Sequence, residues 1–340
     1  MNKKRQAVLY CDPRSLNDAT NYYCGIIRRS LEKYGYKFAI VHNIKSVSEV
    51  DIIVTITEQY FLKSKIRFPH KKQIYWAQGV NAEETKMQMN SFEQFARYCF
   101  RRVAESIAVK YADMLFCVSE RMVQYYREKY GLIDNGQIIV MPCYNLRLSS
   151  EFNTMQYTKP IFAYAGNTSV WQGVDFMLDV FALVEKQIPD ALLNLYSSNK
   201  SELEEMIKVR GIKNYRINYV PVSELQNELH KCKYGFIIRT DHIVNLVATP
   251  TKMNSYLAAY MIPIYSDGVD DFNKNIQLGK YRLMAHCPLN AGVVAQQIIE
   301  FENSINNFED YMGIVKNVFD NHYNDELYES KILEKMKNIV

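Results

Sequence analysis

Two basic side chains flank a predicted strand-to-helix junction in the second half of the chain. Arg239 follows a short apolar run with the composition of a buried strand, and Lys252 begins a predicted helix over residues 252–260. Thr249 is suited to cap this helix and Pro250 to occupy its first turn. Ligands of open parallel sheets bind at the carboxyl ends of strands, and the free N–H groups of a helix start favour phosphate. The two cations therefore predict a diphosphate site.

An alternative interpretation needs no ligand. Arg239 could pair with Asp241, and Lys252 could be a solvated residue of the first helical turn. A cation in the first turn opposes the helix dipole, however, so a bound anion explains Lys252 better.

The elements that would position these residues alternate along the whole chain. Short β-branched and aromatic runs are separated by helical patterns, which is typical of βαβ units with parallel sheets. Predicted strands cover 6–11, 38–42, 51–57, 73–77, 114–118, 137–141, 160–165, 192–196, 215–220 and 235–239. Predicted helices include 21–34, 92–111, 119–130 and 173–187, and the tail from Phe308 onward is helical.

This alternation restarts after an irregular polar stretch at 142–158. We therefore expect the α/β class, with two Rossmann-like doubly wound domains facing a cleft. The expected boundaries are 1–150 for an acceptor-side domain and 151–310 for a donor domain. C-terminal helices at 311–340 are expected to pack back toward the first domain.

Several function classes are disfavoured by what the sequence lacks. It contains no GxGxxG dinucleotide fingerprint, no P-loop pattern and no GxSxG elbow. The net charge of +4 is small and no nucleic-acid-binding motif accompanies it, so we expect no nucleic acid partner. There is no Asp-x-Asp, and the six histidines have no ligand spacing, so no metal site is predicted.

The seven cysteines and the hydropathy suggest a compartment. The cysteine count is odd and no pair has CxxC spacing, which indicates free thiols in a reducing environment. No apolar stretch is long enough to span a bilayer. We expect a cytoplasmic protein that at most lies on a membrane surface.

Three segments resemble GT-B glycosyltransferases of the family 4 type, in particular the subgroup that builds bacterial surface polysaccharide. The stretch Arg239 to Pro263 is similar to their donor-site signature, through Arg239, Asn245, Val247-Ala248, Pro250-Thr251-Lys252, Tyr256-Leu257-Ala258 and Pro263. The segment Gly166-Asn167-Thr168-Ser169-Val170-Trp171-Gln172-Gly173 resembles their glycine-rich loop. Tyr75-Trp76-Ala77-Gln78-Gly79-Val80, followed by Glu83-Glu84, resembles a third segment of the same enzymes.

The resemblance implies transfer of a sugar from a nucleotide-diphosphate sugar to a glycan or lipid-linked acceptor, with retention, no metal and no cofactor. It implies catalytic roles for Arg239, Lys252 and Gln78, although Gln78 could also be an exposed loop residue. The implied donor-binding residues are Gly166, Asn167, Trp171, Gln172, Asp241, Asn245, Thr249, Thr251 and Ser255. On the acceptor side stand Asn17, Asp18 and Glu83, although Asn17 and Asp18 are equally suited to a turn or cap.

The sequence departs from the family pattern at two acidic positions. Val247 and Ser255 stand where the family has two glutamates, the second of which holds the donor ribose. A serine hydroxyl binds a ribose hydroxyl more weakly than a carboxylate does. A catalytically impaired binding or accessory protein is therefore an alternative, and a nucleotide-sugar 2-epimerase is a weaker one.

A basic and aromatic stretch has no place in the donor site. Arg97, Arg101, Arg102 and Lys110 alternate with Phe95, Tyr98, Phe100 and Val103 on one predicted helix. This pattern could rest on an anionic membrane that carries a lipid-linked acceptor, or it could be a solvated helix face.

Overall fold

A computed structural model describes residues 5–47, 49–305 and 307–339 and divides them into two compact units. The first unit comprises the described residues through Asn145, the short segment Val247–Thr249 and the residues from Asn324 onward. The second unit comprises Leu146–Leu246 and Pro250–Tyr323. Each unit contains one six-stranded parallel sheet with helices around it, which confirms the predicted α/β class with two doubly wound layers.

The sheet of the first unit has the order β2-β1-β3-β4-β5-β6. Its inner strands carry continuous apolar runs that are buried on both faces, as expected for parallel sheets. The strands are β1 Gln6–Tyr10, β2 Lys37–Val41, β3 Ile52–Thr55, β4 Lys72–Ala77, β5 Met114–Cys117 and β6 Ile138–Val140.

Helices of the first unit connect these strands. They are α1 Asp18–Lys33, α2 Glu58–Arg67, α3 Asn81–Met87, α4 Phe92–Tyr111 and α5 Glu120–Tyr130, with α14 Asp325–Met336 from the end of the chain. The side chains of Ser91 and Ser119 cap α4 and α5, and Gly131 ends α5 in the left-handed conformation. Arg29 on α1 fixes α14 through Asp325 at 2.8 Å and Glu329 at 2.6 Å.

The sheet of the second unit has the order β12-β11-β10-β7-β8-β9. Its strands are β7 Ile161–Ala165, β8 Leu192–Tyr196, β9 Tyr215–Asn218, β10 Tyr234–Ile237, β11 Ile262–Ser266 and β12 Leu283–Ala285. The strand order reverses between β7 and β10. In open α/β sheets, the crevice at the carboxyl ends of such a strand pair is where ligands bind.

Helices α6 to α13 belong to the second unit. They are α6 Val174–Gln187, α7 Lys200–Arg210, α8 Val222–Leu229, α9 Ile243–Leu246, α10 Thr251–Ala258, α11 Asp270–Asn275, α12 Ala291–Ser304 and α13 Tyr311–Asn321. Across the described ranges, no helix has both the length and the apolar character needed to cross a bilayer.

Candidate active site

The candidate site lies in the second unit, at the crevice between β7 and β10. Gly166 directly follows β7, and Arg239 lies two residues beyond the end of β10. Lys252 is in the first turn of α10. Two loops and one helix start therefore converge at the point where the sheet topology favours a ligand.

Arg239 is held rigidly by its backbone. Its N–H donates to Ser266 Oγ at 2.7 Å, and the Ser266 hydroxyl donates back to the Arg239 carbonyl at 2.5 Å. The guanidinium donates to the Trp171 carbonyl at 2.5 Å, and the residue is only 6% exposed. Burial lowers the pKa of Arg239 to about 10.

The interpretation that Arg239 pairs with Asp241 is wrong. Asp241 is exposed, and among the described residues no carboxylate lies within ion-pair distance of the Arg239 guanidinium. The guanidinium is therefore a buried cation whose one protein acceptor is a neutral carbonyl.

Lys252 is a second cation in the same crevice. Its Nζ donates to Gln172 Oε1 at 2.7 Å and lies 5.2 Å from the centre of the Tyr164 ring. Burial lowers the pKa of Lys252 well below its usual value, and the positive charge of Arg239 lowers it further. Of the residues the structure describes, none offers this ammonium a carboxylate partner. A buried and a half-buried cation side by side, without a counter-charge, form a site prepared for an anion.

Two glycines shape the loop that follows β7. Gly166 has a φ of +154°, and a Cβ there would lie 2.9 Å from both Cε and Nζ of Lys252. Gly173 has a φ of +64°, and a Cβ there would lie 2.8 Å from the carbonyl oxygen of Ile238. Both positions require glycine because of backbone conformation and close packing. The loop can therefore approach both Lys252 and the end of β10.

The rest of this loop divides into inner and outer residues. Gln172 accepts hydrogen bonds from Lys252 and, at 3.4 Å, from the hydroxyl of Tyr164. Trp171 is partly buried and contributes its carbonyl to Arg239. Asn167 is exposed, and its side chain accepts from the Ser169 N–H at 3.1 Å. The structure thus brings Gln172 and the Trp171 backbone to the two cations, whereas the Asn167 side chain shapes the loop.

The start of α10 differs from the prediction. The helix begins at Thr251 with Pro250 at the N-cap position, and no side chain caps it. The prediction that Thr249 caps this helix is wrong, because Thr249 belongs to the first unit and its hydroxyl accepts from the Cys143 N–H at 2.9 Å. Ser255 lies one turn into α10 and donates to the Thr251 carbonyl at 3.1 Å.

Asp241 and Asn245 lie between β10 and α10, Asp241 in the loop and Asn245 in the short helix α9. Asn245 is buried, and its amide donates to the Thr240 carbonyl at 3.0 Å and to the Thr240 hydroxyl at 3.3 Å. These bonds fix the turn that carries Arg239. Asp241 projects to the surface.

Of the residues predicted in the first unit, Gln78 has the most suggestive environment. It follows β4, and its Oε1 accepts from the Tyr23 hydroxyl at 3.1 Å. Its Nε2 is buried and has no hydrogen-bond partner among the described residues. A donor that could bind a further polar group is therefore left at the carboxyl end of β4.

The predicted acceptor-side residues make local contacts. Glu83 forms an ion pair with Lys129 and accepts from the Tyr125 hydroxyl at 3.0 Å. Burial opposes ionisation, but these partners hold the pKa of Glu83 below its usual value. Asn17 caps α1 by accepting from the Thr20 N–H at 2.9 Å. The Asp18 side chain lies outside the described residues.

Sequence reasoning missed two residues of the crevice. Tyr164 on β7 places its ring near Lys252, and Ser266 at the end of β11 anchors the Arg239 backbone. A small polar residue closing an apolar run is the signal that could have identified Ser266. Nothing in the local pattern distinguishes Tyr164 from the other strand tyrosines.

Comparisons with known proteins agree on the fold. No protein-family model and no curated protein matches the sequence. Among solved structures, HepE of Anabaena in complex with UDP-glucose matches with a TM-score of 0.68 and 10% identity, covering 98% of this chain and 99% of that one. A glycosyltransferase from Rickettsia africae matches with a TM-score of 0.63 and 16% identity, covering 99% of both chains.

A third solved structure is TarM of S. aureus, crystallised as a mutant with Fondaparinux, alpha-GlcNAc-glycerol and UDP. It matches with a TM-score of 0.60 and 14% identity over 87% of this chain, which spans only 57% of TarM. At such identities the similarity concerns the fold. The chain therefore has the α/β fold of GT-B glycosyltransferases, with two six-stranded parallel sheets.

Proposed function

We propose that the chain is a glycosyltransferase that uses a nucleotide-diphosphate sugar as donor. The observation that carries this proposal is the pair of the buried Arg239 and the half-buried Lys252. The pair has no carboxylate partner among the described residues and lies beside a glycine loop at the β7–β10 crevice. Two fixed cations match the charge of a diphosphate. The complexes of HepE with UDP-glucose and of TarM with UDP support this ligand class.

The same two residues account for the chemistry. Sugar transfer breaks the bond between the anomeric carbon and the diphosphate, so negative charge grows on the departing phosphate oxygen. Preorganised cations stabilise that charge in the transition state. We propose that Arg239 and Lys252 supply the positive charge that a divalent ion supplies elsewhere, so that transfer is metal-independent, and that it retains the anomeric configuration.

We further propose a glycan or lipid-linked acceptor and a role in bacterial surface polysaccharide synthesis in the cytoplasm. The free Nε2 of Gln78 is our candidate contact to a sugar or acceptor hydroxyl. The TarM complex with Fondaparinux and alpha-GlcNAc-glycerol supports the glycan class.

Calorimetric titration with UDP tests the site. We expect Lys252→Ala and Arg239→Ala each to weaken UDP binding by about 100-fold, since each removes one charge-assisted contact worth about 3 kcal/mol. Lys208→Ala is the matched control, because Lys208 is an exposed lysine of the same unit. Unchanged UDP affinity in both site variants would refute the assignment.

A transfer assay separates an enzyme from a binding protein. Wild-type protein is incubated with radiolabelled UDP-, GDP-, TDP- and CMP-sugars in the presence of EDTA, and released or transferred sugar is counted. Turnover that the two site variants lose supports the enzyme. Donor binding without turnover would favour the impaired accessory protein, which is motivated by a Ser255 hydroxyl already engaged with the helix backbone.

A further inference from the structure

Helix α4 of the first unit presents its apolar side to solvent. Phe92 is 85% exposed, Val103 is 58% exposed, and Phe95 and Phe100 are each 47% exposed. Together with the exposed Cys99, these five residues form what we call the α4 stripe. Phe92, Phe95, Cys99 and Val103 recur at a helical spacing of three or four residues, so they lie along one line of the helix.

The opposite side of α4 holds charge and faces the protein. Glu105 is fully buried and accepts from the Tyr130 hydroxyl at 2.7 Å. Arg101 lies 3.7 Å from the buried Glu58 of α2 and donates to the Thr85 hydroxyl at 3.1 Å. A surface helix normally buries its large apolar side chains. Helix α4 instead buries the small residues Ala104 and Ala108 with Val109 beside Glu105, and leaves its phenylalanines outside. The buried polar contacts fix the rotation of α4 and keep the stripe outward.

Helix α4 and its neighbour α2 concentrate the positive charge of the chain. Helix α4 packs against α2, and the two carry seven basic and three acidic residues. The remaining residues of the sequence are balanced, because the chain as a whole has 41 basic and 37 acidic residues. Glu58 and Glu105 are buried, which leaves Glu93 as the one exposed acid of these two fully described helices. The two helices carry five exposed cations, of which Arg97 pairs with the exposed Glu93 at 3.2 Å: Lys63, Arg67, Arg97, Arg102 and Lys110.

We propose that the α4 stripe docks onto an anionic lipid surface, with its phenylalanines inserted at the headgroup level and the surrounding cations on the lipid phosphates. Exposed aromatic residues flanked by Lys and Arg are what peripheral membrane binding requires. A second copy of the chain fits less well, because two such surfaces would bring like charges together. This inference rests on α2 and α4 alone and is independent of the nucleotide site.

Vesicle flotation with the full chain tests the proposal. Vesicles of phosphatidylcholine with and without phosphatidylglycerol are compared at low and high salt. We expect binding to the anionic vesicles, weakened by salt. The triple variant Phe92→Ser, Phe95→Ser, Phe100→Ser should bind at least about tenfold more weakly, since less apolar area is inserted. Arg97→Glu with Arg102→Glu should lose the preference for phosphatidylglycerol.

A matched triple variant controls for general loss of surface hydrophobicity. Val209→Ser, Tyr219→Ser and Val222→Ser change three exposed apolar residues of the second unit and should leave vesicle binding unchanged. Circular dichroism and the melting temperature, measured in every variant, report intact folding. Absence of vesicle binding, or equal binding by the α4 triple variant, overturns the proposal. A dimer of the wild-type chain in analytical ultracentrifugation that is absent in the α4 triple variant would also overturn the proposal, since the stripe would then be a self-association surface.

Discussion

Replacing Lys252 by methionine should make the empty protein more stable and the nucleotide-bound protein less stable than wild type. Methionine keeps the length of the side chain and the contact with the Tyr164 ring, but it removes a buried charge that lies near Arg239. The lowered pKa of Lys252 means that its protonated form is disfavoured by its surroundings in the absence of an anion. A neutral methionine at position 252 removes the free-energy cost of holding that charge in the folded protein.

The magnitude follows from two opposing effects. Replacing even a buried ion pair by apolar side chains of similar volume is neutral or stabilising by about 1–4 kcal/mol, and a cation without a counter-charge is less favourable than a paired one. Loss of the hydrogen bond to Gln172 subtracts about 1 kcal/mol. We therefore expect a net gain of about 1 kcal/mol, or about 2–4 °C in the melting temperature for a unit of this size.

With UDP bound, wild type should become more stable than Lys252→Met. At a UDP concentration of about 100 times the wild-type Kd, binding stabilises wild type by about 2.7 kcal/mol. If the variant binds about 100-fold more weakly, the same concentration stabilises it by only about 0.4 kcal/mol.

Differential scanning calorimetry of both proteins, with and without UDP, measures the crossover. Lys208→Met, at an exposed lysine of the same unit, serves as the control and should change neither melting temperature. The reasoning is refuted if Lys252→Met melts below wild type without UDP, or if UDP stabilises both proteins equally.

Three further predictions concern pH and packing. UDP affinity should fall as pH rises through the lowered pKa of Lys252, at a pH where an ordinary lysine would still be protonated. In calorimetric titrations of Lys252→Arg, the same fall in affinity should occur at higher pH. Gly166→Ala should weaken UDP binding and also lower the melting temperature, because its Cβ meets the Lys252 side chain and alanine is strained at a φ of +154°. Gly173→Ala should lower the melting temperature, because its Cβ meets the Ile238 carbonyl. An unchanged melting temperature in either variant, or an unchanged UDP affinity in Gly166→Ala, would contradict the assigned contacts. Burial raises the pKa of Glu105 to about 7, so its favourable contribution is complete below pH 4.5 and is lost as pH rises through 7. Denaturant unfolding should therefore show Glu105→Gln gaining stability relative to wild type between pH 5 and 8, and a constant difference across that range would refute the shift.

The sequence predicted most strands because their apolar, β-branched runs are short and separated by turn residues. The run Leu192–Tyr196 was located without error, and the other predicted strands differ by one or two residues at their ends. Strands β11 and β12 were missed. Pro263 lies within β11, and proline argues against an inner strand, while β12 has only three residues.

For the candidate site, sequence reasoning located the convergence of Arg239 and Lys252 but not their surroundings. Both follow from local rules for strand ends and helix starts. The close approach of Gly166 to Lys252 and the anchoring of Arg239 by Ser266 depend on tertiary packing, which no spacing reveals. The prediction that Thr249 caps α10 is wrong for the same reason, since the Thr249 hydroxyl accepts a hydrogen bond from the N–H of Cys143, which is distant in sequence.

The cysteine on the α4 stripe gives a chemical probe that needs no mutation. Of the seven cysteines, Cys99 is the exposed one, and burial raises the pKa of Cys11 and of Cys287 to about 11. A polar maleimide should therefore label the native chain first at Cys99, because reaction requires an accessible thiolate. Labelling kinetics at this one sulfur atom would report directly on whatever covers the helix, on added vesicles or in a cell lysate that retains its membranes.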